Sequence, residues 1–253
     1  MCAVTDVWII SGTDTGVGKT VVTSAIAAAA AVAGQRVAVI KPGQTGIAPG
    51  SAEESDLDVV RRLAAPATGL NLVTYPDALA PLAAAEQVGA EPLALGDVIE
   101  AVARTAAHHD VVLIEGAGGL LVPMGEGRWT VADLALALRC PTVVVARSGL
   151  GTLNHTALTL EALARRALTG YVVIGSWPAT PELVHWRNLV DLAGELVGVL
   201  PDGAGAMEPA DFRASARSWL SPLLYGRADP LRLRTDGVAG RSPEWPEPVE
   251  PPR

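Results

Sequence analysis

The run Gly12-Thr13-Asp14-Thr15-Gly16-Val17-Gly18-Lys19-Thr20 sets glycines, a lysine and a hydroxyl in an order suited to phosphate. Glycines let the chain curl until several backbone N–H groups face one anion, and a helix starting at the lysine adds the positive end of its dipole. Lys19 brings a mobile positive charge for outer phosphates, and the Thr20 hydroxyl is a hard oxygen ligand suited to Mg2+. Five residues separate Gly12 from Gly18, one more than in the common phosphate-loop spacing.

Other candidates lie at the ends of apolar runs. Lys41 opens Lys41-Pro42-Gly43-Gln44-Thr45-Gly46 after a predicted strand placed beside the first, where its charge could stabilise a transferred phosphoryl group. Taken alone, a lysine before a Pro-Gly turn is more often a solvated one. Glu115 ends the apolar run 111–114 and precedes Gly116-Ala117-Gly118-Gly119, the position from which a second magnesium partner reaches the phosphates. A turn acid is the plainer reading. Asp56, after Ser55, suits a metal role and a helix cap or first-turn acid equally. Gly149-Leu150-Gly151-Thr152-Leu153-Asn154-His155 offers either a second helix-terminal anion site or an ordinary turn capped by Thr152. Asp110 reads as a turn residue, and His108 and His109 as surface residues away from the ligand.

Positioning these residues requires strands that end beneath them. Hydrophobic patterning predicts strands over 7–11, 36–40, 111–115, 142–146, 170–174 and 196–200. It predicts helices over 20–33, 56–64, 95–107, 131–138, 152–166, 181–193 and 209–220, a loop over 42–55, and helical turns within 70–89. Short Val/Ile/Leu strands alternating with helices specify a doubly wound, mostly parallel α/β sheet with helices on both faces. Ligands of such sheets sit beyond the carboxyl ends of the strands, where the candidate residues fall. Residues 1–225 read as one domain and 226–253, rich in proline, as a disordered tail.

The 253 residues carry a net charge of −8, which disfavours nucleic acid and anionic membrane as partners. Cys2 and Cys140 have neither metal-ligand spacing nor a disulfide framework, so a reducing cytoplasm is expected. The apolar stretch 21–33 is too short for a membrane span, and residues 7–10 run into the glycine loop rather than a cleavage site.

Together the motifs form a set. G-T-D-T-G-V-G-K-T resembles the phosphate loop of dethiobiotin synthetases, extra residue included; K-P-G-Q-T-G, S-D, E-G-A-G-G and G-T-L-N-H follow in the family's order and spacing. The resemblance runs from about residue 7 to 204 and implies a homodimeric enzyme taking ATP, Mg2+, CO2 (from bicarbonate) and 7,8-diaminononanoate. It implies catalytic roles for Lys19, Lys41 and Thr15; nucleotide contacts from Asp14, Thr15, Gly16, Val17, Gly18, Lys19, Thr20 and Val21, with Gly175, Pro201, Gly203 and Ala204 at the base; and Thr20, Asp56 and Glu115 around Mg2+. Thr45, Gly118, Gly151, Thr152 and Asn154 are implied in substrate binding, Asn154 from the neighbouring subunit. Ile174-Gly175-Ser176-Trp177 lacks the base-reading Asn of many members, so other nucleoside triphosphates are expected to serve as well. Gly43, often Val in the family, and Arg147, at a variable position, are further departures.

A partitioning or septum-placing switch ATPase is the main rival. Residues 12–17 lack the early lysine of that class. An amidating synthetase of the cobyrinic acid kind lacks room for its glutaminase domain, and a non-catalytic nucleotide-binding module is the blandest alternative.

Overall fold

The computed structural model describes residues 5–229 together with 232, 234 and 235. Seven strands form one sheet: β1 (Asp6–Gly12), β2 (Val37–Thr45), β3 (Thr68–Tyr75), β4 (Val111–Glu115), β5 (Thr142–Ala146), β6 (Gly170–Trp177) and β7 (Glu195–Pro201). Their order is β3-β2-β4-β1-β5-β6-β7, with every neighbouring pair parallel. Between them run α1 (Lys19–Val32), α2 (Asp56–Ala64), α3 (Pro81–Gln87), α4 (Leu95–Ala106), α5 (Val131–Leu138), α6 (Thr152–Ala164), α7 (Leu183–Asp191) and, last, α8 (Pro209–Trp219).

Each central strand is buried on both faces, so its run is apolar throughout instead of alternating. Ile10, Val39, Leu113 and Val145 face α1, α2 and α8, whereas Ile9, Ile40, Ile114 and Val144 face the layer containing α4 and α5. The alanines of α1, residues 27–30, are at most 1% exposed, and their small side chains let the helix lie close to the sheet and to α2 and α8. Phe212 and Trp219, one above the other on α8, close that face in an edge-on ring contact with centroids 5.2 Å apart.

Three expectations change. Residues 70–75, the start of the segment 70–89 expected to be irregular with helical turns, belong to the edge strand β3. Most of its side chains are only half-buried, and Gly69 and Asn71 interrupt the apolar run, so the strand signal is weak. The segment 42–45, expected as loop, belongs to β2. Beyond Ile40 this strand outruns β4 and pairs only with β3, which tolerates the missing N–H of Pro42. The strand bearing Lys41 is not beside the first strand, because β4 lies between them.

Of the expected tail, Gly226, Arg227 and Ala228 donate backbone hydrogen bonds to Ser221, Arg217 and Leu220. The rest of it lies almost wholly outside the described residues.

Candidate active site

β1, β2 and β4 end at one edge of the sheet and present Lys19, Lys41 and Glu115 to a common cavity of about 820 Å³. Gly18 caps α1 in the left-handed region, φ 97°, a conformation glycine adopts without a Cβ clash. This turn starts the helix directly at Lys19. The Lys19 ammonium folds back to donate to Asp14 O at 2.9 Å.

A compact polar cluster follows. Thr20 Oγ1 lies 2.8 Å from Glu115 Oε1 and 3.1 Å from Asp56 Oδ1. Lys41 Nζ donates to Glu115 Oε1 at 3.0 Å and to Gly116 O at 3.1 Å, and lies 2.5 Å from Asp56 Oδ2. Lys41 and Glu115 are 4% and 1% exposed, so the alternatives of a solvated lysine and a plain turn acid both fall.

Charge and burial oppose one another here. Burial alone would lower the Lys41 pKa, but the Glu115 and Asp56 carboxylates outweigh it and hold the ammonium above its ordinary value. Burial would raise Asp56, yet Lys41, with help from Thr20 and Lys19, holds its carboxyl below the usual range. Burial lowers Lys19, and repulsion from Lys41 adds to this against the pull of Glu115. Two ammonium groups in one cavity are therefore unequal: one locked in the charged form, the other poised to gain from an anion.

Asp56 is set by two devices. Ser55, not Asp56, is the cap of α2; its hydroxyl accepts from Asp58 N while Asp58 accepts from Ser55 N. Gln44, 5% exposed, accepts from Asp56 N at 3.1 Å through Oε1 and donates to Thr45 O at 3.1 Å through Nε2. No role was read for Gln44 from sequence, although it lies inside a recognised motif.

The cavity gathers Thr15, Gly16, Gly18, Lys19, Thr20, Lys41, Thr45, Asp56, Glu115 and Gly118. The lining also includes the apolar stretch Ala78 to Pro81, which was not foreseen. It follows β3, and recognition of that strand would have drawn attention to its carboxyl end.

Other expected residues lie outside this lining. A Cβ at Gly175 would sit 2.1 Å from Val17 O, so the β6 backbone presses directly on the phosphate loop there. Pro201 ends β7; Gly203 and Ala204 begin a short helical turn whose Gly205 lies against Val21. Asp14 is exposed and Val17 buried. Gly151 and Asn154 are exposed at the start of α6. Thr152 is buried and does not cap that helix; Gly151 holds the cap position, and the Thr152 hydroxyl donates to Arg147 O at 2.7 Å. His109 is half-buried, with its ring nitrogens bonded to Thr68 and Thr105 O.

The donor set suits Mg2+. It offers hard oxygens, and the Lys41 ammonium already sits between the two carboxylates as a stand-in cation. Among the described residues no group of three or more His, Cys, Asp and Glu side chains could hold a metal. A magnesium that takes its remaining ligands from phosphate and water needs only one or two carboxylates.

The sequence matches the AAA domain family over residues 6–202. Two proteins named ATP-dependent dethiobiotin synthetase BioD, from Streptomyces avermitilis and Saccharopolyspora erythraea, are each 51% identical to it. The matches cover 88% of this chain and 95% of the first relative, and 87% and 98% for the second. The chain belongs to the dethiobiotin synthetase family. Its fold is shared more widely. A ParA family ATPase from Chlorobium tepidum TLS superposes with a TM-score of 0.52 at 10% identity, covering 93% of this chain and 98% of that one. The septum site-determining protein MinD complexed with Mg-ADP, from Pyrococcus horikoshii OT3, gives 0.50 at 15% identity, covering 93% and 97%. Those likenesses establish the sheet architecture alone, and membership of the synthetase family decides against the switch-ATPase reading.

Proposed function

We propose that this chain is an ATP-dependent dethiobiotin synthetase, closing a ureido ring on 7,8-diaminononanoate with CO2. The observation that carries the reading is the pair of buried lysines, Lys19 and Lys41, converging with Thr20, Asp56 and Glu115 on one cavity above a phosphate loop. A triphosphate and a carbamate repel each other, and bringing them together calls for fixed positive charge and exclusion of water.

In this reading one amine of the substrate adds to CO2 and loses a proton, giving a carbamate. A carbamate oxygen attacks the γ-phosphorus and ADP departs, leaving a carbamic-phosphoric anhydride. The second amine attacks the anhydride carbon, phosphate leaves, and the ring closes. Lys19 neutralises the β- and γ-phosphates. Lys41, held in the charged form, faces the carbamate and the transferred phosphoryl group. Thr15 and Thr45 contact the diamine or carbamate, and Gly118 lets the substrate lie against backbone. Thr20, Asp56 and Glu115 would hold Mg2+, which when bound supplies further neutralisation of the triphosphate. No side-chain nucleophile is needed.

The rest of the reading concerns surroundings. Gly175, Pro201, Gly203 and Ala204 edge the base, and no Asn side chain occupies 174–177, which supports relaxed nucleotide choice. A homodimer lets Gly151, Thr152 and Asn154 hold the substrate carboxylate of the neighbouring subunit. Leu150, 89% exposed beside them, is an apolar side chain that such a contact would cover. No helix among the described residues is long and apolar enough to cross a membrane, and the cytoplasm is the proposed site of action. Residues 1–225 are proposed as the working domain and 226–253 as an appendage.

The test is incorporation of isotope-labelled bicarbonate into dethiobiotin by the purified protein with and without ATP. Label appearing only with ATP supports the reading. Phosphate release without labelled product, or none at all when diamine and bicarbonate are supplied, overturns it.

A further inference from the structure

Asp14 places a negative charge on the loop that is to receive a polyanion. Its Oδ1 accepts from Thr15 N at 2.7 Å, so the carboxylate occupies one of the backbone amides of the phosphate loop. The same carboxylate is met from the far side of β1. Arg147, one residue past the end of β5, donates through Nη2 to Asp14 Oδ2 at 3.0 Å and to Thr15 O at 3.1 Å. One guanidinium thus grips two successive residues of the phosphate loop.

The backbone that carries Arg147 is firmly held. The Thr152 hydroxyl donates to Arg147 O at 2.7 Å. Asn188, 6% exposed on α7, donates to Ser148 O at 2.9 Å and Gly149 O at 2.8 Å. Ser148 Oγ donates to Ser176 O at 2.9 Å. The side chains of Arg147 and Asp14 are each 51% exposed, so a fixed anchor delivers a head that retains contact with solvent.

We infer that Arg147 is a positioning residue of the phosphate loop. It neutralises Asp14 and fixes the Asp14–Thr15 turn, so that the incoming triphosphate meets backbone amides and Lys19 without an opposing free carboxylate. As a fold-stabilising pair, an exposed Arg–Asp contact is worth little. Its effect falls on ligand binding, because removing the guanidinium leaves Asp14 to repel the phosphates. The inference rests on the reading of this loop as the ATP site.

Binding of ATP in the presence of Mg2+ is to be measured by titration calorimetry for wild type, R147Q, R147K, D14N and the D14N/R147Q double variant, at low and at high salt, alongside steady-state kinetics. R147Q is expected to weaken ATP binding by roughly fivefold at low salt and by less at high salt, the behaviour of a partly exposed charge. Its kcat at saturating ATP stays within about twofold of wild type, since the interaction acts on binding. R147K restores affinity, and D14N in the R147Q background recovers part of the loss by removing the repelling charge. Circular dichroism and melting curves establish that each variant is folded. A folded R147Q that binds ATP as tightly as a binding-competent wild type overturns the inference alone. So does a double variant no better than R147Q, which would make the contact merely structural. A wild type that binds no ATP overturns the reading of the loop, and this inference with it.

Discussion

The Lys41 ammonium lies 3.0 Å from Glu115 Oε1, joining the third-from-edge strand to its edge-side neighbour at the point where both strands meet the cavity. A buried carboxylate and a buried ammonium are each costly alone. Together, with Asp56 and Gly116 O filling further contacts of Lys41, they make a preorganised patch that keeps the ammonium charged at the cavity wall.

Lys41→Ala is expected to keep most nucleotide affinity and to lose at least about a hundredfold in turnover, the scale of a lost transition-state charge contact. Calorimetry with ATP and phosphate-release kinetics separate the two. Near-normal turnover removes Lys41 from the chemistry.

Lys19→Ala is expected to weaken nucleotide binding and abolish turnover. The wild-type protein carries a related signature. The folded-state pKa of Lys19 is lowered by burial and by Lys41, and a triphosphate binds its protonated form. Affinity for ATP should therefore fall as pH rises, in a range below the roughly 10.4 of a free lysine. An ATP affinity unchanged up to that value contradicts the assignment.

Acid stability reports on Asp56. Its folded pKa is depressed, so its ionised form contributes stability above the unfolded value of about 3.9, lost as pH falls through the lower folded pKa. Lys41 behaves in the opposite sense: with its folded pKa raised, its contribution is complete below roughly pH 10.4 and is lost as pH rises through the folded value. Melting temperatures of wild type and Asp56→Asn between pH 6 and the acid limb, referenced to pH 6, should diverge, with wild type losing more. Parallel curves rule out the ion pair as their cause.

Gly175→Ala would set a methyl 2.1 Å from Val17 O. The loop or β6 has to move, at a cost of about 1–3 kcal/mol, the range for overpacking. Thermal melts should show the loss, and ATP binding should weaken beyond what a core substitution remote from the loop produces. Unaltered binding would indicate that the strain is absorbed in β6.

Nucleotide choice is open to direct competition. CTP and GTP are expected to support ring closure at rates comparable with ATP under equal conditions. A strong preference for ATP argues that backbone groups around Gly175 and Pro201 read the base without a side-chain amide.

Much of this was legible in the residues themselves. The strand–loop–helix around Gly12 to Thr20 carries its own punctuation, and residues 111–114 and 143–146 are short apolar runs, rich in β-branched residues and bounded by polar ones, that read as buried strands. What escaped was non-local. Nothing in the local pattern says that β4 inserts between β1 and β2, because strand order follows from which faces must be covered rather than from any one segment. The edge strand β3 was missed because an edge needs less apolar material, and the wall at 78–81 was missed with it. Gln44 and Arg147 act through backbone partners distant in sequence, Asp56 N and Thr15 O, which composition cannot announce.

The insertion of β4 has a consequence for how the protein comes into being. As the chain leaves the ribosome, the phosphate loop emerges before β4 and β5, the sheet neighbours of its flanking strand, which lie about a hundred residues or more further on. Until residue 115 has been synthesised, β1 has both edges open and the loop lacks the Glu115 carboxylate at Thr20; the edge that pairs with β5 stays open until residue 146. Parallel pairings of such long reach form slowly and leave strand edges exposed meanwhile. Capture of ATP during synthesis is therefore a late event, and a chain arrested before β4 presents a loop with the right residues and no competent site.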